Sequence, residues 1–120
     1  MKRIHSLFEL YINIIENIEN EWIYANMEEW ATSPENCDFY IIPEAEMDEM
    51  PDDEVYESEA GPLLPINLQK FKLWPWMEIA TLQGIVENLN MMEMKKFDAD
   101  LLIKSINHYR EFDDFLNVGD

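Results

Sequence analysis

"WIYANMEEWATSPENCDFYIIP", residues 22–43, is where the chain stops reading as helical. "WIYA" and "CDFYIIP" are short, aromatic and β-branched, and the turn-forming "TSPEN" lies between them, which predicts two antiparallel strands. Pro43 has no amide proton to give a ladder and closes the second strand. On the N-terminal side Ile4, Leu7, Phe8, Tyr11, Ile14, Ile15, Ile18 and Trp22 recur at intervals of three and four. That spacing predicts a helix from about residue 3 to about residue 20. On the C-terminal side "INLQKFKLWPWMEI", residues 66–79, reads as one or two further strands, with Pro75 at a strand end or on a sheet edge. Thr81 is the expected N-cap of a helix with the stripe Leu82, Ile85, Val86, Leu89 and Met92. Gly84 weakens that helix by about 1 kcal/mol relative to Ala. A last helix should begin near Asp98 and turn Leu102, Ile106, Tyr109, Phe112 and Leu116 inward. The order implies an α+β fold, a small antiparallel sheet covered on one face by three helices, with a long acidic loop.

A chain of 120 residues fits one domain, residues 1–120, with a single modest core. Apolar residues make up 48% of it and 15 are aromatic, so it is not a disordered acidic tail. The lone Cys37 leaves no internal disulfide or cysteine zinc site and suits a reducing compartment. The opening "MKRIHSLFELYINIIENIENEW" imitates a signal peptide, but Glu9, Asn13 and Glu16 interrupt its apolar stretch and no small-residue cleavage site follows. No apolar run approaches the roughly 18 residues of a membrane span. A soluble cytoplasmic protein is expected.

The net charge of −18 is lopsided. Ile4 to Gln69 holds 17 carboxylates and no Lys or Arg, whereas the rest of the chain is nearly balanced. The densest part, "EAEMDEMPDDEVYESEAGP" (44–62), holds nine carboxylates, and Pro51, Gly61, Pro62 and Pro65 mark residues 44–65 as a loop. Structureless connections longer than about 12–15 residues are usually functional or disordered. Such a field disfavours direct binding to nucleic acid or to an anionic membrane, both of which need cationic side chains. It suits a basic protein partner.

The residues of an active site are sparse. His5 and His108 have no neighbouring nucleophile pattern, three glycines form no phosphate-cradling loop, and Cys37 reads as a small buried strand residue. "DEMPDDEVYE" lacks the ligand spacing and turn glycine of an EF-hand, so no metal site is expected. Glu28 and Glu29 are adjacent and read as a solvated turn rather than an acid–base pair. No catalytic residue and no cofactor site is assigned, and the chain is read as a non-enzyme. Within the acidic stretch, Met47, Met50, Val55 and Tyr56 alternate with acids, which suits a docking surface. The expected partner-binding residues are Asp52, Asp53, Glu54, Tyr56 and Glu57. Glu46, Asp48 and Glu49 supply field, and Trp30 and Trp74 are candidate anchors.

"EIATLQGIVENL" and "DADLLIKSINHYREFDDFL" resemble a family of small acidic bacterial proteins of unassigned domain function. The matching positions are Ile79, Leu82, Ile85, Val86 and Asn88, then Leu101, Leu102, Ile106, Asn107, Tyr109, Asp113 and Phe115. The likeness covers about the last 40 residues, and "CDFYIIP" loosely; the acidic stretch lies outside it. Members of that family look like immunity proteins of contact-dependent growth inhibition and related toxin systems. The resemblance implies a cytoplasmic inhibitor that binds a cognate toxin domain, commonly a nuclease, and it carries over no catalytic residues. The alternative is a phage or mobile-element DNA mimic that blocks a restriction or CRISPR nuclease.

Overall fold

Two strands do form within residues 22–43, and they make the centre of a sheet. The computed structural model describes residues 1–16, 19–91 and 96–116. Strand β1 (Lys2–Ile4) leads into helix α1 (Leu7–Glu16), β2 (Trp22–Ala25), helix α2 (Met27–Thr32) and β3 (Phe39–Ile41). The order of the main sheet is β1-β3-β2-β6, all antiparallel, with β6 (Trp74–Glu78) on the far edge. Pro75 therefore sits on an edge strand, where its missing amide costs little. Helices α4 (Ile79–Met91) and α5 (Ala99–Phe112) follow. Asp98 caps α5 by accepting the Leu101 amide at 3.1 Å.

Several boundaries differ from the expectation. The first helix begins at Leu7, and residues 2–4 instead form an edge strand beside β3. Ser6 stops the helix from extending backward: its hydroxyl accepts the Glu9 amide at 3.1 Å, and Glu9 Oε2 accepts the His5 amide at 3.4 Å. Leu7, Leu10 and Ile14 are the residues of α1 that are buried, whereas Phe8 and Ile15 are exposed. "MEEW", expected in a turn, is helix α2, because Asn26 accepts the Glu29 amide at 2.9 Å as its N-cap. Residues 66–71 form a 3-10 helix and not a strand. Thr81 lies inside α4 and does not cap it. The first amides of α4 are met from the loop before β2, by Glu21 O to Ile79 at 2.9 Å and Asn20 Oδ1 to Ala80 at 3.0 Å. Phe112 is exposed. Gly84 leaves room for the Phe115 ring, which lies 3.3 Å from where a Cβ would stand. Ile18 and Met92 fall outside the described residues.

The larger difference concerns the sheet faces, since both are covered. Ile4, Ile23, Ala25, Phe39 and Ile41 face the core made with α1, α2, α4 and α5. Trp30, Phe39 and Trp76 meet there as an aromatic trio, with Trp30–Trp76 centroids 5.1 Å apart. Tyr40 and Ile42 point the other way and join Leu64, Leu68 and Leu73 in a second core. Residues 44–65 supply much of its lid and are not an irregular loop. They contain helix α3 (Glu44–Asp48), a 3-10 turn (Asp52–Glu54) and a hairpin of β4 (Val55–Glu57) and β5 (Leu63–Pro65).

If the acidic segment is a packed flap, neighbouring leucines within it should behave oppositely. Leu64→Ala, at a fully buried position, is expected to cost about 2–5 kcal/mol. Leu63→Ala, on the outer face, should cost under about 1 kcal/mol. The urea midpoints of the two variants check this, and equal small effects would mean that the flap is not packed.

Candidate functional site

The flap is rigidified by its own short-range bonds. Ser58 is buried and donates twice to the Pro62 carbonyl, through its hydroxyl at 2.7 Å and its amide at 3.1 Å. Gly61 has φ of 110°, a turn conformation that a side chain would strain, and its amide reaches Ser58 O at 2.9 Å. Met47 and Tyr56 pack half-buried against the second core, so the apolar residues between the acids have a structural use as well as exposed area. Burial also pushes the Tyr56 phenol above its ordinary value.

The expected site residues separate into groups. Asp48, Glu49, Asp52, Asp53, Glu54 and Glu57 are exposed, and among the described residues none of them is ion-paired. Glu46 is half-buried and bonded to the Met1 ammonium. Tyr56, Glu57 and Trp74 share a hollow of about 230 Å³ with Lys72, and Trp74 is 40% exposed. Trp30 is 4% exposed and donates its indole proton to Asn107 Oδ1 at 3.0 Å. It is a core residue, and a partner would not reach it. Arg3, a basic residue beside the second core, is also engaged: it bonds Asp38 at 2.8 Å and lies over the Tyr40 and Phe71 rings, 5.3 and 5.0 Å from their centroids.

A larger groove of about 730 Å³ runs between the β2–β6 edge and the inner margin of the flap. Its walls include Trp22, which is 45% exposed, Tyr24, Met47 and Leu63. Glu21, Glu44, Asp48 and Glu78 bring four carboxylates to it, and among the described residues no basic side chain lines it. Two of the four are held in place: Glu21 Oε2 accepts the Glu44 amide at 3.3 Å, and Glu78 Oε2 accepts Asn20 Nδ2 at 2.8 Å. The Tyr24 phenol is pushed above its ordinary value, first by burial and then by Glu21 and Glu44. Of the groove residues, the sequence pattern singles out Asp48 as a source of field and Met47 as part of a docking surface. The alternation in "WIYA" held the rest of the signal, since Ile23 and Ala25 face the helices and Trp22 and Tyr24 must face away.

The two histidines lie apart. His5 is exposed with Nδ1 3.2 Å from Asp38 Oδ1, and His108 stacks on Phe112. Among the described residues no group of three or more His, Cys, Asp and Glu could hold a metal ion, and no helix is long and apolar enough to cross a membrane. Cys37 is buried just before β3, and its thiol is pushed up to about 12 by burial, with Glu29 and Asp38 adding to the shift. No family model matches the chain, and no curated protein or solved structure matches it significantly.

Cys37 should therefore be inert in the native protein. Iodoacetamide at pH 8 is expected to leave it unlabelled until urea unfolds the chain, when labelling becomes complete. The folded thiol keeps its proton up to about 12, whereas the ordinary value is 9.0. Its contribution to stability is thus full below pH 9.0 and is lost as pH rises toward about 12. Labelling of the native protein faster than unfolding would contradict the buried placement.

Proposed function

We propose that this chain is an immunity-type inhibitor that binds a cognate bacterial toxin domain, a nuclease with a basic cleft, and neutralises it in the cytoplasm. The observation that carries this reading is that Asp48, Glu49, Asp52, Asp53, Glu54 and Glu57 stand exposed on a folded flap with no ion pair among the described residues. A fold gains nothing from such a set, because like charges repel and weaken the compact state. A cationic cleft reverses that balance. Because the carboxylates are mounted on packed structure, less ordering entropy is lost on binding than for a free acidic loop. Steering by the same field raises association toward about 10⁸–10⁹ M⁻¹s⁻¹ at low salt. The flap then occupies the place of the nucleic-acid phosphates, with Tyr56 and Trp74 beside it in the hollow at its outer margin.

The test is coexpression with toxin nuclease domains encoded beside this gene, followed by binding measurements on the one it rescues. Growth is expected to be restored by the native chain. Changing Asp52, Asp53 and Glu54 together to Asn and Gln should weaken binding at least about tenfold at 0.15 M salt, mainly through the association rate. Unchanged affinity would refute the acidic flap as the inhibitory surface. Rescue of no such domain, with tight binding to a restriction or CRISPR nuclease instead, would favour the DNA-mimic reading.

A further inference from the structure

We propose that the groove between the β2–β6 edge and the flap receives an arginine side chain from an extended basic segment of the partner protein. This deepens the preceding reading and rests on it for the partner being a cationic protein. It differs in placing the specific contact in a concavity, where the flap's Glu44 and Asp48 meet Glu21 and Glu78, rather than on Asp52, Asp53, Glu54 and Glu57.

Three features of the groove converge on a guanidinium. Its walls are largely apolar and include Trp22 and Tyr24, aromatic residues of the kind on which a planar cation stacks favourably. Glu21, Glu44, Asp48 and Glu78 line it without a counter-charge, and none of them is ion-paired among the described residues. Glu21 and Glu78 are oriented by their bonds to the Glu44 amide and to Asn20, so fixed acceptors meet a donor whose forked geometry matches carboxylates. A lysine ammonium would satisfy the charge but not the stacking. An anionic or neutral occupant would leave four carboxylates crowded against it. At about 730 Å³ the groove has room for more than one side chain, which is why an extended segment and not a lone residue is its expected occupant.

The experiment is a titration of the ¹⁵N-labelled full chain with the peptide acetyl-Gly-Arg-Gly-amide at 0.15 M salt. The Lys and Glu versions of the peptide and spermidine serve as comparisons. The Arg peptide is expected to give saturable shifts at the Trp22 indole and the Leu63 amide, with the Trp74 indole unmoved. It should bind at least about threefold tighter than the Lys peptide. Glu44→Gln with Asp48→Asn, two exposed positions on α3, should weaken the Arg peptide at least about fivefold, while the Asp52, Asp53 and Glu54 triple change leaves it within about twofold. Shifts spread over every acidic segment, equal binding of Arg, Lys and spermidine, or insensitivity to the Glu44 and Asp48 changes would overturn the proposal. A groove that binds the Arg peptide as expected in a chain that inhibits no basic toxin would leave this inference standing and refute the function proposed above. Inhibition lost by the flap triple change but untouched by the Glu44 and Asp48 pair would do the reverse.

Discussion

Strand β3 has apolar side chains on both of its faces, and the rest of the molecule follows from that. Phe39 and Ile41 are buried under the helices, and Tyr40 and Ile42 are as deeply buried on the other side. A central strand of this kind needs two covers, since each exposed apolar face costs about 25 cal/mol per Å². The helices α1, α2, α4 and α5 provide one. The other comes from residues 44–73, which include the most acidic part of the chain. Leu64, Leu68 and Leu73 anchor this cover, with Met47, Tyr56 and Phe71 at its margin.

This arrangement explains how so many like charges coexist with a packed segment. Repulsion between exposed carboxylates is screened over about 8 Å at physiological salt, whereas burial of the leucines beneath them is not screened at all. Most of the acids stay on the outer surface, while Met47 and Tyr56, interleaved with them, pack half-buried against the second core. Charge is thus fixed in space without being neutralised, and a cationic partner can neutralise it without first ordering a loop. The concave margin where the flap meets β2 and β6 combines that field with Trp22 and Tyr24, so the proposed partner would meet shape as well as sign.

Much of the architecture is legible in the residues, and the departures have separate physical causes. "WIYA" and "CDFYIIP" became the paired strands, and the Asp98 cap and the buried Leu102 and Ile106 of α5 are where periodicity places them. The caps of α1 and α2 were also written in the sequence, as Ser6 with Glu9 and Asn26 with Glu29, but apolar periodicity outweighed them. The start of α4 was not legible, because its amides are satisfied by Asn20 and Glu21 from about 60 positions away. The flap is hard to read because density of charge and Pro–Gly punctuation resemble a loop, and only the second apolar face of β3 reveals that a cover is needed. Trp30 cannot be told from an exposed anchor in the sequence because nothing there sorts the four tryptophans by exposure, whereas the aromatic trio and Asn107 settle its place in the core.

Native-state hydrogen exchange across residues 55–65 tests the folded flap most directly. The hairpin pairing and the Ser58 amide bonded to Pro62 O predict slowing of at least about a hundredfold relative to an unstructured peptide in the free protein. Exchange of these amides at the unstructured rate would show that the carboxylates are carried on a loose chain, and both the second core and the groove built against it would fall.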